Sequence, residues 1–184
     1  VVIVATIRAL KMHGGVEKEN LKKEDTASLK KGLINLERHI LNIKKFGLEP
    51  IVAINHFALD TKKEIDVVLN FCKDMKVQVS ECKHWAIGGK GTTDLAKKVV
   101  KICKESKKSN FKFLYEDSLN LWDKIEKIVK EIYGGDRVTA NEDVKEKLQV
   151  FENNGYKNLP VCIAKTQYSF STDPKLKGAP SNHE

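Results

Sequence analysis

The chain has 184 residues, a mass of 20.8 kDa and a formal net charge of +8 at neutral pH. Its hydrophobic fraction of 41% and charged fraction of 32% are typical of globular proteins and exclude a disordered or fibrous chain. A polypeptide of this size buries about 70% of the surface that its unfolded form exposes, so it needs no disulfide bonds or metal ions to fold. The length by itself fits one domain.

The predicted elements alternate between short apolar strands and amphipathic helices. Val1 to Thr6 is β-branched and apolar and predicts a buried central strand at Val1–Val4. A helix capped by Asp25 or Thr26 follows and ends near Gly47. The later predicted strands are Ile51–Ile54, Val77–Ser80, Phe111–Tyr115 and Val161–Ala164, with helices starting near Asp60 or Thr61, Thr93, Ser118 and Asn141. This alternation predicts an α/β fold in which parallel sheet layers are covered by crossover helices.

The two ends of the sequence suggest a segment of a longer protein. The chain begins with Val1 and not with methionine, and it enters a predicted buried strand at once. The last residues, from Pro174 onward, are rich in turn formers and lead into no further element. We therefore expect an incomplete α/β segment that is cut at both ends.

The positive charge does not predict a nucleic-acid partner. Lysines occur along every predicted helix and alternate with glutamates, as in Lys124–Lys127. Arginine, which suits bidentate phosphate and base recognition, occurs only at Arg8, Arg38 and Arg137. Nucleic-acid binding is suggested by the net charge and by no other feature, so we predict solvated helix faces instead.

The sequence also argues against a membrane protein and a metalloprotein. No apolar run reaches the roughly 20 residues that a bilayer span requires, and no cleavable leader is recognisable, so we expect a cytoplasmic chain with no membrane partner. The four cysteines form no C-x-x-C pair, which predicts reduced thiols. Cys82-x-His84 could begin a metal site, but no second pair follows, and no metal is expected.

The loops that follow the predicted strands are the best candidates for a ligand site, because open parallel sheets bind ligands at the carboxyl ends of their strands. Asn55-His56-Phe57 and Cys82-Lys83-His84-Trp85 each place an aromatic residue in such a loop. The alternative is that Phe57 and Trp85 close the hydrophobic core from above. Without a family resemblance, the residues themselves favour that alternative.

A glycine-rich segment at Gly88-Gly89-Lys90-Gly91 precedes the predicted helix at Thr93. Glycines at a helix start expose N–H groups, and a lysine adds charge, so Gly88, Gly89 and Lys90 form a candidate anion-binding loop. The segment does not fit G-x-x-x-x-G-K-[ST], since His84 stands at the first glycine position and Gly91 follows Lys90. A tight turn with a helix cap is the equal alternative.

Long motifs resemble those of formate–tetrahydrofolate ligases. The run Val4–Gly15 is similar to the family's V-A-T-V-R-A-L-K-M-H-G-G segment. Further similar segments cover the whole chain in order: Asn35–Ile40, Val52–Phe57 with Asp60-Thr61, His84–Ala86 with Gly88–Gly91, Glu131–Gly134 and Asn158–Ser169.

The resemblance implies an ATP-dependent ligase that forms a C–N bond. Such enzymes convert formate, ATP and tetrahydrofolate to 10-formyltetrahydrofolate, ADP and phosphate, in a multi-domain fold similar to P-loop NTPases. It implies ATP with Mg²⁺ and tetrahydrofolate as substrates, no bound redox cofactor, a monovalent cation and a homo-oligomeric full-length enzyme. Residues 1–48 would end the nucleotide-domain-like part, and residues 49–184 would form the folate-site part.

The resemblance also implies roles for individual residues. The family's two pterin-clamping aromatics correspond to Phe57 and Trp85, and Asn55 would lie on the nucleotide side; catalytic residues are not assigned. The family's phosphate loop has no counterpart in these residues, so we expect the isolated chain to be inactive. Cys82-Lys83-His84 looks eukaryotic whereas Asn55-His56-Phe57 looks bacterial, which leaves a mitochondrial location open. A non-catalytic module that binds folate or pairs with full-length subunits is the alternative function.

Overall fold

The computed structural model describes residues 1–105, 109–164 and 168–183. It divides into two compact units, Val1–Phe111 and Lys112–Glu184, where the chain length had suggested a single domain. Lys165, Thr166 and Gln167 of the last family-like motif lie outside the described residues. The predicted division of the ligase segment near residue 48 stays a prediction.

A parallel sheet forms the centre of the first unit. Its strands are β1 (Val2–Ala5), β2 (Ile51–Asn55) and β3 (Gln78–Cys82), in the order β1-β2-β3. Its helices are α1 (Ile7–His13), α2 (Thr26–Lys45), α3 (Lys62–Asp74), α4 (His84–Ile87) and α5 (Thr93–Glu105), with 3₁₀ turns at Lys18–Asn20 and Gly88–Thr92. Both strand pairs are parallel, and helices connect consecutive strands, so the predicted α/β class is confirmed.

The three strands differ in burial. β2 lies between its two neighbours, and Ile51–Ile54 is buried throughout, as predicted. β1 pairs only with β2 among the described residues, and Val4 is 66% exposed. The prediction of a central, buried strand at Val1–Val4 is therefore wrong for this structure. The β-branched side chains favour an extended backbone, but the number of neighbouring strands depends on residues far away in the sequence.

Helix α1 occupies the segment directly after β1, where the sequence pattern predicts no helix. The Thr6 side chain caps it by accepting a hydrogen bond from the Ala9 N–H at 3.1 Å. Ile7 and Leu10 are buried against α2, where a Cβ on Gly32 would lie 1.8 Å from the Leu10 carbonyl oxygen. Only glycine allows this close approach of the two helices. The third buried position of α1 is Lys11, whose charge hid the apolar periodicity.

Lys11 forms a fully buried ion pair with Glu64 of α3. The Lys11 Nζ lies 2.8 Å from the Glu64 Oε1 and also donates to the Lys23 carbonyl oxygen at 2.8 Å. The Glu64 carboxylate accepts two further hydrogen bonds, from the N–H groups of Asp25 and Thr61, each at 3.1 Å. The pair therefore joins α1 to the first residues of α2 and α3.

The electrostatics of Glu64 reflect two opposing effects. Burial by itself raises the pKa of the Glu64 carboxyl. The hydrogen bonds from Lys11 and from the Asp25 and Thr61 N–H groups outweigh burial, so the net pKa lies below its ordinary value. The carboxylate is consequently charged at neutral pH and fully hydrogen-bonded.

The second unit consists of helices without a sheet among its described residues. Helix α6 (Leu121–Ile128) continues into a π-helical turn at Val129–Tyr133, and α7 (Glu142–Phe151) continues into another at Glu152–Tyr156. Asn120 caps α6, so the predicted cap at Ser118 is two residues early. Asn141 caps α7 as predicted.

The strands predicted at Phe111–Tyr115 and Val161–Ala164 are absent from the described residues. A side-chain hydrogen bond between the two segments replaces the backbone pairing of strands. The Tyr115 hydroxyl accepts a hydrogen bond from the Val161 N–H at 2.8 Å and lies 3.4 Å from the Val161 carbonyl oxygen. Nearby, the buried Lys124 Nζ donates to the carbonyl oxygens of Lys157 and Leu159 at 2.7 and 3.1 Å. These side chains satisfy backbone groups that a strand would pair with another strand.

We predict that Lys11→Met and Glu64→Gln each lower the free energy of unfolding by about 3–5 kcal/mol, because each change leaves the partner's charge buried and uncompensated. The double variant should lose less than the sum of the single changes, because neither charge is then left unpaired. Urea unfolding of the four proteins measures this coupling.

The exposed pair of Lys62 and Asp66, 3.3 Å apart, offers a control in the same helix. Lys62→Met should leave the urea midpoint essentially unchanged.

Because the folded-state pKa of Glu64 is lowered, the contribution of Glu64 to stability is present above the unfolded-state pKa and is lost as the pH falls through the folded-state value. If the stability losses of Lys11→Met and Glu64→Gln simply add in the double variant, the predicted coupling is contradicted.

Candidate functional site

The residues after β1, β2 and β3 meet at the carboxyl edge of the sheet. Arg8, in the first turn of α1, places its guanidinium carbon 4.7 Å from the centre of the Phe57 ring. The Phe57 ring centre lies 6.5 Å from that of Trp85 in α4. The structure therefore brings Phe57 and Trp85 together, as the sequence predicts, and adds Arg8, which the sequence reading did not single out. Its position three residues after the end of β1, at the edge where ligands bind in open parallel sheets, is the sequence signal that could have identified Arg8.

The two rings contact each other at a tilt. Their planes make an angle of 54°, which is intermediate between parallel stacking and edge-to-face geometry. Trp85 is 69% exposed, whereas Phe57 is half-buried beneath Arg8. Trp85 therefore does not fill the hydrophobic core. An exposed indole beside a second ring and a guanidinium is suited to a flat ligand.

The Phe57 loop is held by hydrogen bonds to its own backbone and to β3. The Asp60 carboxylate accepts a hydrogen bond from the Phe57 N–H at 2.8 Å. The His56 N–H continues the sheet pairing by donating to the Cys82 carbonyl oxygen at 3.0 Å. Thr61 follows as the N-cap of α3 and forms a capping box with Glu64, which fixes the backbone where the Phe57 loop ends.

His56 and Glu81 connect the two aromatic loops. The His56 Nδ1 contacts the Glu81 Oε1, and the Lys83 Nζ lies 3.0 Å from the same oxygen. Burial raises the pKa of the Glu81 carboxyl, but the contacts with His56 and Lys83 outweigh it, and the net pKa is lowered. With the carboxylate ionised, Nδ1 of His56 carries the proton and donates.

The Trp85 loop folds back onto its own start. The Lys83 N–H donates to the Gly91 carbonyl oxygen at 3.1 Å, which closes a loop that contains α4 and the following 3₁₀ turn. A Cβ on Gly91 would lie 2.5 Å from the Lys83 carbonyl carbon, so a larger residue would push this closure apart. The hydrogen bond from Lys83 to Gly91 closes the loop, while the Trp85 ring within it remains exposed to solvent.

The glycine-rich segment agrees in part with the turn-and-cap alternative. Gly88 has a φ of +63°, which favours glycine, and the Thr92 and Thr93 hydroxyls donate to the carbonyl oxygens of Gly89 and Lys90. No atom lies within 4 Å of a Cβ built on Gly89. Turn geometry therefore explains Gly88 and Gly91 but requires neither Gly89 nor the exposed Lys90, and anion binding there stays a prediction.

Asn55 is the last residue of β2 and precedes Phe57 by two residues. Its Oδ1 is buried, and in the described part of the chain no hydrogen-bond donor reaches it. A buried amide oxygen without a donor is costly, and a ligand donor would satisfy it. Its assignment to the nucleotide side stays a prediction.

Other features lie away from this edge of the sheet. In the second unit an open cavity of about 420 Å³ contains none of the predicted site residues; it is lined by Asn120, Trp122, Lys145, Leu148, Gln149 and Glu152. Within residues 1–105, 109–164 and 168–183 no three His, Cys, Asp or Glu residues converge as metal ligands. In the same ranges no helix is long and apolar enough to cross a membrane.

The fold and these loops define an α/β protein with a candidate ligand site at the carboxyl edge of a parallel sheet. The family model described as formate–tetrahydrofolate ligase matches residues 1–184, and the chain belongs to that family. The resemblance seen in the motifs is thereby confirmed.

Curated relatives agree over the full length of the chain. A formate–tetrahydrofolate ligase of Pelagibacter ubique (strain HTCC1062) is 56% identical over 183 residues, which cover 100% of this chain and 32% of that protein. The corresponding ligase of Staphylococcus aureus (strain JH9) is 53% identical over 184 residues, covering 100% and 33%. The chain thus spans about a third of the length of these relatives.

We predict that Trp85→Ala changes the free energy of unfolding by less than about 0.5 kcal/mol, because the ring is mostly exposed. Ile40→Ala in α2, whose side chain is fully buried, should cost about 2–5 kcal/mol and provides the comparison. Urea unfolding monitored by circular dichroism measures both. A loss in Trp85→Ala as large as in Ile40→Ala would mean that the indole packs into the core.

Proposed function

We propose that this chain contributes the folate-binding half of the site of a formate–tetrahydrofolate ligase. The whole enzyme would convert ATP, formate and tetrahydrofolate to 10-formyltetrahydrofolate, ADP and phosphate. The observation that carries the proposal is the contact between the Phe57 and Trp85 rings at the carboxyl ends of β2 and β3. Membership of the family supplies the substrate class.

A pterin would lie between the two aromatic rings. Two van der Waals gaps of about 3.5–4.0 Å require parallel rings about 7–8 Å apart. The rings now lie 6.5 Å apart at 54°, so the indole must turn to admit the ligand. Trp85 is exposed on a four-residue helix, which leaves room for this rotation. The ring contact would thus be exchanged for two contacts with the pterin.

Polar groups around the rings suit the remaining parts of the substrates. Arg8 covers Phe57 and would fix its ring plane through the cation–π contact. Asn55 offers an acceptor without a donor, and Gly88, Gly89 and Lys90 would face an anionic group. ATP with Mg²⁺, a monovalent cation and a homo-oligomeric assembly belong to the whole enzyme in this proposal, which would act in the cytoplasm.

We predict that Phe57→Ala and Trp85→Ala each weaken tetrahydrofolate binding to this chain by a factor of ten to several hundred. Each change removes stacking and exposes one face of the pterin, at a cost of roughly 1.4 kcal/mol per tenfold. Isothermal titration calorimetry with (6S)-tetrahydrofolate under reducing conditions measures the dissociation constants.

Phe113→Ala in the second unit is the matched control, because its ring is 70% exposed and comparable to Trp85 in this respect. It should leave the dissociation constant unchanged. A chain that unfolds cooperatively in urea yet binds no tetrahydrofolate would contradict the proposed function. Equal weakening by all three variants would contradict the assignment of the rings.

We also predict that the 184-residue chain alone does not consume ATP in response to formate and tetrahydrofolate. Its sequence contains no G-x-x-x-x-G-K-[ST] segment to cradle the ATP phosphates and stabilise charge during phosphoryl transfer. Formation of ADP, followed with and without each substrate, measures this activity. Substrate-dependent turnover above that of heat-treated protein would refute the expectation.

A further inference from the structure

Glu81 lies between the bases of the two aromatic loops. It is the residue of β3 that pairs with Ile54 of β2, and its carboxylate contacts His56, the residue before Phe57. Trp85 follows Glu81 by four residues, just inside α4. A single carboxylate therefore contacts the residue before Phe57 and lies four residues before Trp85.

The carboxylate uses only one of its oxygens within the protein. Oε1 receives both His56 and Lys83, whereas among the described residues no hydrogen bond or ion pair reaches Oε2. The side chain is 31% exposed, and Oε2 is not one of the buried polar atoms that lack a partner. The lowered pKa of Glu81 keeps this oxygen negatively charged at neutral pH.

The other acidic side chain of these loops is already engaged with its own backbone. Asp60 accepts the Phe57 N–H and so stabilises the turn that carries the ring. Glu81 differs, because its contacts are with the side chains of His56 and Lys83 and not with the backbone of a ring-bearing turn. A charged acceptor held by His56 and Lys83, in the strand that leads into the Trp85 loop, suits a flat heterocycle whose edge carries N–H donors.

A pterin has such an edge in its N3–H and 2-amino groups. We propose that Glu81 is a specificity-determining residue of this site and that its free carboxylate oxygen accepts a hydrogen bond from the 2-amino group of that edge while Phe57 and Trp85 hold the ring faces. The proposal rests on the proposed folate-binding function. His56 and Lys83 act as positioning residues, because they hold Oε1 and thereby orient Oε2.

The test pairs a change in the protein with a change in the ligand. Glu81→Gln keeps the size of the side chain but removes its charge and one acceptor oxygen. It should weaken (6S)-tetrahydrofolate binding on the order of 10- to 100-fold, the range that a charge-assisted hydrogen bond supplies. For 2-desamino-2-methyl-tetrahydrofolate, which lacks the amino donor, the same substitution should change the affinity by less than about threefold.

Two further variants separate a hydrogen bond to ligand from effects on folding. Glu105→Gln removes a carboxylate of α5 that pairs with Lys101, and it should leave both affinities unchanged. His56→Gln removes the imidazole link but retains the Glu81 carboxylate. It should weaken both ligands by similar factors, because it loosens the loops without removing the acceptor. Urea midpoints of all variants are measured alongside the calorimetric titrations.

The outcomes distinguish this inference from the proposed function. If Glu81→Gln weakens both ligands equally, or neither, the carboxylate does not read the pterin edge and the inference is overturned. If Phe57→Ala still weakens tetrahydrofolate binding in that case, the proposed function stands without it. If the folded chain binds neither ligand, the proposed function itself fails.

Discussion

The buried ion pair of Lys11 and Glu64 is the constraint on which the arrangement of the first unit depends. Removing two charges from water is costly, and the cost is offset here because the Lys23 carbonyl oxygen and the Asp25 and Thr61 N–H groups complete their hydrogen bonds. The pair joins α1, which follows β1, to α3, which follows β2. Arg8 lies one helical turn before Lys11, and the Phe57 loop ends where α3 begins. The ion pair therefore fixes α1, in which Arg8 lies, and α3, which the contacting residue Phe57 precedes in the sequence.

The aromatic site combines loops that are held by hydrogen bonds with a ring that is exposed to solvent. Backbone bonds, the Asp60 carboxylate and the His56–Glu81 contact hold the loops, while the Trp85 indole stands in solvent. An exposed large aromatic ring contributes little to folding, and the proposed role of Trp85 is in ligand binding. The Asn55 and Glu81 oxygens without a partner are likewise assigned to the ligand only in the proposals above. Groups that the fold leaves unused converge on one edge of the sheet.

Local pattern predicts an element reliably only where its partner is also local. The helices with recognisable caps, at Asp25, Thr61 and Asn141, begin at or beside the predicted residues, because capping is settled within one turn. Apolar runs were less informative about pairing. Val161–Ala164 has strand-like composition, yet the Tyr115 hydroxyl satisfies the Val161 backbone. Helix α1 was missed because one of its buried positions is a lysine, whose compensating glutamate lies 53 residues away.

The sequence by itself determined the α/β class, the buried strand at Ile51–Ile54 and the ligase family, since periodicity and long motifs are properties of contiguous residues. It also placed Phe57 and Trp85 in strand-end loops. Tertiary structure decided that the two rings touch, that Arg8 covers one of them and that Glu81 links their loops. It also decided that β1 has only one neighbouring strand among the described residues. These facts depend on which distant segments become neighbours, and burial and hydrogen bonding select those neighbours only when the whole chain packs.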